Sequence, residues 1–321
     1  MKAVRLYGVG DLRVESVALP EMAADRLRLK VLAAGICGSD LHNYRSGKWL
    51  AQLPVTPGHE LCGEVLEVGA EVTGFQPGDR VVADSRVWCG ECPACQRHSF
   101  NLCTRLGFVG EVCDGGFAEQ VVLPPQGLLK VPADIPPAVA VLSEPLGVAL
   151  RVVNQLRIPA GARVRVAGGG TIGGLTALLL HEVAHCQVQL SEPNPARFQL
   201  LADLIPLQPL GEFDYAVEAT GISHVLQQLV TEITAGGRIA LVGLFHHHAD
   251  FDFNTLVERE IALVGCSVFA DEQRQALALL PQLADKLATL TAPAVALDEL
   301  PQTYVDLLAG NSRWLKSWVQ P

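Results

Sequence analysis

Four thiols fall within fifteen residues, Cys89, Cys92, Cys95 and Cys103, at the spacing C-x2-C-x2-C-x7-C. Loops this short can wrap sulfurs round one ion at about 2.3 Å, and four thiolates close a tetrahedral zinc site. Gly90 and Pro93 between the thiols suit a tight loop. Two disulfides, incidental core cysteines and an iron–sulfur cluster are the competing readings, and the spacing favours zinc over each. Such an ion is structural, because no ligand position is left open for water or substrate. Chemistry must lie elsewhere.

A second set of ligands is dispersed. Cys37 lies in Gly35-Ile36-Cys37-Gly38-Ser39-Asp40-Leu41-His42, His59 in Pro57-Gly58-His59-Glu60, and Glu144 in Ser143-Glu144-Pro145-Leu146. One sulfur, one nitrogen and one oxygen with a fourth position open is the catalytic form of a zinc site. Each residue also has a plainer reading: Cys37 as a small buried hydrophobe, His59 as a turn or core residue, Glu144 as a helix-start carboxylate.

The third constellation is Gly168-Gly169-Gly170-Thr171-Ile172-Gly173. This G-x-G-x-x-G follows a strand-like run, Arg163-Val164-Arg165-Val166-Ala167, and opens a helical one at Leu175, the context a dinucleotide-binding loop needs. Gly168 allows the tight turn, Gly170 lets the backbone approach a pyrophosphate, and Gly173 lets helix pack on strand. The pyrophosphate is expected at the helix N-terminus, over Thr171 and Ile172. Glu192 comes nineteen residues after Gly173, at the end of the next strand-like run. A carboxylate there accepts from both ribose hydroxyls and repels a 2′-phosphate, so NAD is expected over NADP. Arg197 tempers this, since an arginine there tolerates a phosphate or flanks the adenine. The plainer reading of Glu192 is an exposed loop acid.

These residues need elements to hold them. From 4 to 131 the chain reads as short apolar runs broken by Gly, Pro and Asp, a β-rich barrel with polar loops. Near Gly147 the pattern shifts to alternating strands and helices, with later strands expected at 213–221, 236–243 and 261–265. Between Arg197 and Phe213 the sequence is short and contains Pro206 and Pro209, so an abbreviated strand and helix are expected there. The tail, 275–290 and 301–308, reads as helical. His246-His247-His248 reads as a surface loop, because three consecutive side chains do not face one ion.

The 321 residues are enough for two cores. Apolar residues make up 49%, against disorder. A net charge of −10 gives no electrostatic case for nucleic acid or an anionic membrane. The opening shows no basic-then-apolar signal segment, no uncharged apolar run approaches membrane length, and cytoplasm is the default compartment.

The motifs at 35–42 and 58–60, the cysteine lobe, and Gly115-Gly116-Phe117-Ala118-Glu119 stand in an order that resembles the zinc-dependent medium-chain dehydrogenases over nearly the whole chain. The resemblance implies an α/β two-domain fold: a GroES-like β-barrel catalytic domain with the zinc lobe (1–146), a Rossmann doubly wound parallel sheet (147–268), and a C-terminal return to the catalytic domain (269–321). It implies one catalytic and one structural zinc. Cys37 and His59 match zinc ligands. Glu60 matches a carboxylate beside the metal that can enter its coordination. Glu144 matches a position that is Cys in many alcohol dehydrogenases and Glu in the sorbitol dehydrogenase-like branch. Ser39 and His42 resemble a proton relay, with a helix-capping hydroxyl as the plainer role for Ser39. Tyr44, Trp49 and, less strongly, Phe108 stand where the family borders its substrate. Arg45 and Lys48 could meet a substrate anion there, with a solvated loop as the plainer reading. A homo-oligomer, dimer or tetramer, is also implied.

The function expected is NAD-linked oxidation of a polyol or other secondary alcohol to a ketone. The alternatives are a dehydrogenase of L-threonine, a sugar acid or an anionic or phosphorylated polyol, and, in a different class, a redox-inactive zinc and dinucleotide-binding module.

Overall fold

A computed structural model describes residues 1–245, 251–310 and 312–321. The histidines at 246–248 lie outside the described residues. The chain divides into two compact units, Met1–Glu144 with Arg274–Pro321, and Pro145–Gln273. These divisions stand a few residues from 146/147 and 268/269, the boundaries the sequence suggests.

The first unit is built on a seven-stranded sheet. Its longest strand, Leu27–Ile36, alternates buried Leu27, Leu29 and Val31 with outward Arg28 and Lys30. It pairs antiparallel with Glu60–Val68, Gln120–Leu123 and Ser317–Gln320. The last pairing sets Ser317 opposite Ile36, so the tail is stitched beside the strand that leads into Cys37. A hairpin, Lys2–Gly8 with Asp11–Ser16, is joined to the rest through bridges at Ala3–Ala118 and Leu6–Val55. Its core gathers Val4, Leu27, Leu29, Leu61, Phe117, Leu300 and Tyr304, each worth about 1.5–3 kcal/mol in apolar burial.

The second unit is a five-stranded parallel sheet. Arg163–Ala167 lies between Gln187–Ser191 and Tyr215–Glu218, and Arg238–Leu241 and Ala262–Gly265 extend the far edge. The chain therefore starts inside the sheet, steps to one edge and returns, the ordering of a doubly wound fold. Among the described residues no strand lies between the helix Pro195–Ala202 and the strand Tyr215–Glu218, where the prolines announce the shortening.

By length and composition one helical stretch, Pro137–Leu156, could cross a membrane, but 78% of its apolar window is buried inside the protein, as in a core helix.

Candidate metal centres and dinucleotide loop

The cysteine lobe places four sulfurs within 4.8 Å of one another. All nine cysteines are free, so the disulfide reading has no support in the structure. Main-chain amides point at the sulfurs: Cys89 N and Arg105 N donate to Cys103 Sγ at 3.4 and 3.3 Å, and Cys92 N donates to Cys89 Sγ at 3.4 Å. Amide donors from Cys95 and Thr104 pull the Cys92 thiol down to about 5, while burial pushes its neighbour Cys95 up. Four clustered sulfurs with amides turned towards them fit a thiolate-bound cation.

The second centre begins where the strand Leu27–Ile36 ends. Cys37 caps the helix Gly38–Ser46, and its amide donates to Asp40 Oδ2 at 2.8 Å. His59 and Glu60 come from the start of the neighbouring strand. Cys37, His59 and Glu60 offer ligand atoms within 4.8 Å of one another. Asp40 Oδ1 stands 3.7 Å from His59 Nδ1, a carboxylate placed to orient the ring. Glu60 is held from behind: Lys316 Nζ donates to its Oε1 at 2.6 Å and to the Ile36 carbonyl at 3.1 Å, with Lys316 and Glu60 both 1% exposed. Gly35 makes room for this carboxylate, since a Cβ there would collide with Glu60 Oε2.

The electrostatics ask for a cation. Burial disfavours a charged His59, yet Asp40, Cys37 and Glu144 outweigh it and hold the ring well above the usual histidine range. Burial pushes Asp40 and Glu144 up. His59 Nδ1 and Glu60 Oε2 are buried without a hydrogen-bond partner. A sulfur, an imidazole whose Nδ1 faces Asp40 and a carboxylate with one unsatisfied buried oxygen fit a zinc ion.

Glu144 falls outside this tight group. Ser85 Oγ donates to its Oε1 at 2.6 Å, and its carboxyl feels both His59 and Glu60. The expectation that Cys37, His59 and Glu144 form the set is therefore modified: Glu60 is the third close donor, and Glu144 stands beside it.

The other expected site residues divide. Ser39 is half-buried in the first turn of the helix Gly38–Ser46. His42, one turn on, is nine-tenths buried and stacks on Trp49, ring centroids 4.1 Å apart. Phe108 faces His59 at 6.3 Å. Arg45 and Lys48 are exposed. Tyr44, expected on the substrate wall, instead packs on the barrel core, edge-on to Tyr304 at 5.5 Å. Its position, four residues after buried Asp40, puts it on the apolar side of the helix.

Sequence reasoning missed Asp40, Ser85, Glu111 and Lys316. Asp40 had a local signal, its place at the third helical position, where a carboxylate caps the turn. The other three reach their partners from 59, 68 and 256 residues away, and no spacing marks them.

In the second unit, Gly168 has φ of +95°, and the helix Thr171–Glu182 starts after Gly170. A Cβ on Gly173 would strike the Gly168 carbonyl, whereas one on Gly170 would meet only open space. That open flank beside the first-turn amides of Thr171, Ile172 and Gly173 fits a pyrophosphate. Glu192 lies against the loop rather than in solvent. Its Oε2 accepts from Gly169 N at 2.7 Å, and its Oε1 from Asn194 N at 2.7 Å and Arg197 Nη2 at 3.0 Å.

Comparison with known proteins places this geometry. Residues 23–133 match the alcohol dehydrogenase GroES-like domain, and residues 193–282 match the zinc-binding dehydrogenase family. The chain is 34% identical over 278 residues to the L-threonine 3-dehydrogenase of Pyrococcus furiosus, covering 80% of this chain and 78% of that one. A zinc-binding dehydrogenase of Sinorhizobium meliloti solved with NADP superposes with a TM-score of 0.91 at 31% identity, covering 100% of this chain and 99% of that one. The 2R,3R-butanediol dehydrogenase of Bacillus subtilis gives 0.90 at 30% identity, with the same coverage. Those dehydrogenases share both units, so this chain belongs to the zinc-dependent medium-chain alcohol dehydrogenase family and is an oxidoreductase acting on CH–OH groups.

Proposed function

We propose that the chain oxidises the secondary hydroxyl of a small polar molecule of the threonine type, a β-hydroxy amino acid, with NAD as acceptor. The observation that carries the substrate class is the 34% identity over 80% of the chain to an L-threonine 3-dehydrogenase. A neutral vicinal diol is the second reading, favoured by the superposition on a butanediol dehydrogenase.

In this reading Cys37, His59 and Glu60 hold the catalytic zinc with Glu144 in reserve, and Cys89, Cys92, Cys95 and Cys103 hold the structural one. When bound, the catalytic ion supplies Lewis acidity that makes a hydroxyl easier to ionise, and the nicotinamide accepts hydride. The chain's own residues do the rest. Lys316 neutralises one Glu60 oxygen and leaves the other without a hydrogen-bond partner. Asp40 orients His59. Ser39 takes the substrate proton at Oγ and His42, one helical turn on, passes it outward. Phe108 and Trp49 border the substrate. In the second unit, Glu192 has one acceptor site left, on Oε2, for a ribose hydroxyl after its three protein donors. That charge opposes a 2′-phosphate, while Arg197 partly offsets it.

The purified enzyme with NAD or NADP, offered L-threonine, 2,3-butanediol, polyols and sugar acids, tests this through absorbance of the reduced cofactor. Highest kcat/KM with L-threonine and NAD is expected. Preference for the diol replaces the first reading by the second, and preference for a sugar acid rejects both.

A further inference from the structure

Glu111 is not among the ligand donors of the centre described above, yet it is only 7% exposed, and burial lifts its carboxyl to about 7. It follows the short strand Gly107–Phe108 in a tight turn. Its Oε1 accepts from Asn43 Nδ2 at 3.0 Å. Asn43 sits on the helix Gly38–Ser46, 3% exposed, and its Oδ1 accepts from Trp49 N at 3.2 Å. The Trp49 ring lies on the His42 ring, planes 31° apart. The main chain repeats the tie, with Ala51 N donating to Glu111 O at 3.2 Å.

We propose that Glu111 is a positioning residue for proton transfer: through Asn43 and Trp49 it fixes the ring of His42. The inference rests on the relay given to His42 above. Without an acceptor at 111 the buried Asn43 amide is left unsatisfied and turns to find one, releasing the Trp49 amide. Trp49 then leaves the imidazole it covers. A shuttle ring must stay within hydrogen-bond reach of its donor, and about 1 Å of misplacement can cost on the order of 10²-fold in rate. His59 and Asp40 act electrostatically on the Glu111 carboxyl. Accepting from an amide needs the oxygen rather than the charge, so glutamine can serve.

The test uses the full-length, zinc-loaded enzyme with its best substrate. Glu111→Leu should lower kcat about tenfold and alter the pH profile of kcat, a loss at the lower end of general acid–base contributions. Glu111→Gln should recover most of it. NMR titration of the His42 ring, which needs no substrate, should shift in Glu111→Leu and return in Glu111→Gln. If Glu111→Leu folds poorly, Trp49→Ala, at a residue 37% exposed, should reproduce the altered pH profile of kcat and the shifted His42 titration with an unchanged Tm. Unchanged kcat, pH profile and His42 titration in Glu111→Leu, or in Trp49→Ala, overturn the proposal. If His42→Ala keeps the wild-type profile, the relay falls and this inference with it. If His42→Ala loses the profile while Glu111→Leu keeps it, the inference alone falls.

Discussion

The two clusters of the first unit solve ligand assembly in opposite ways. The cysteine lobe gathers four like donors from fifteen consecutive residues and satisfies them with amides from the same loop. The Cys37–His59–Glu60 centre takes three unlike donors from two loops, and its balancing cation comes from Lys316 near the far end of the chain. Four identical ligands close around an ion and leave it nothing to do but hold the loop. Mixed ligands, with an unsatisfied oxygen and a neighbouring carboxylate, would leave a metal ion a coordination position for substrate. A local cluster therefore reports on stability, and a dispersed one on chemistry.

The comparison breaks most visibly at Cys37. Cys37→Ser should cut kcat by at least about 10³-fold while leaving the melting temperature within a few degrees, since the dispersed centre is assigned to chemistry. Equal losses in turnover and stability would erase the distinction. Cys92→Ser is the mirror experiment: about 3–5 kcal/mol of stability lost and metal content reduced by one zinc from about two per chain, because binding energy at a structural site is folding energy. A variant of unchanged Tm that still holds two zincs would show that Cys92 is not a ligand of the lobe.

Lys316→Met sharpens the contrast, because it leaves Glu60 buried without its cation. A loss of about 3–5 kcal/mol is expected in the metal-free protein by denaturant melts, with a smaller loss once zinc is loaded. Equal losses with and without metal would mean that Glu60 does not meet the ion. Smaller again is Glu192→Ala, expected to shift the NAD/NADP ratio of kcat/KM about tenfold towards NADP with Tm nearly unchanged. An unchanged ratio removes the ribose role. Least of all, Tyr304→Phe removes a fully buried hydroxyl that has no hydrogen-bond partner, and thermal melts should show stability unchanged or raised by about 1 kcal/mol.

Legibility followed the same division. The alternation at Leu27, Leu29 and Val31 and the glycine loop after Ala167 are local patterns, and the structure shows strand and helix start there. The cysteine spacing brought four sulfurs together. Cys37 and His59 were legible through their motifs, but which carboxylate completes the close set was not. Glu60 and Glu144 differ in tertiary partners, Lys316 for one and Ser85 for the other, and no local pattern encodes those. The packing of Tyr44 on Tyr304 follows from helical phase, which nearness in sequence to the ligand loop does not reveal.

The Lys316–Glu60 pair ties the order of synthesis to the order of assembly. Cys37, His59 and Glu60 leave the ribosome early, but the buried carboxylate has no counter-charge until a strand more than two hundred residues later is laid beside Ile36. A metal ion captured before then meets a pocket with one surplus negative charge. Fusions or deletions made around residues 312–320, remote on any map of the sequence, therefore act on the reacting centre itself.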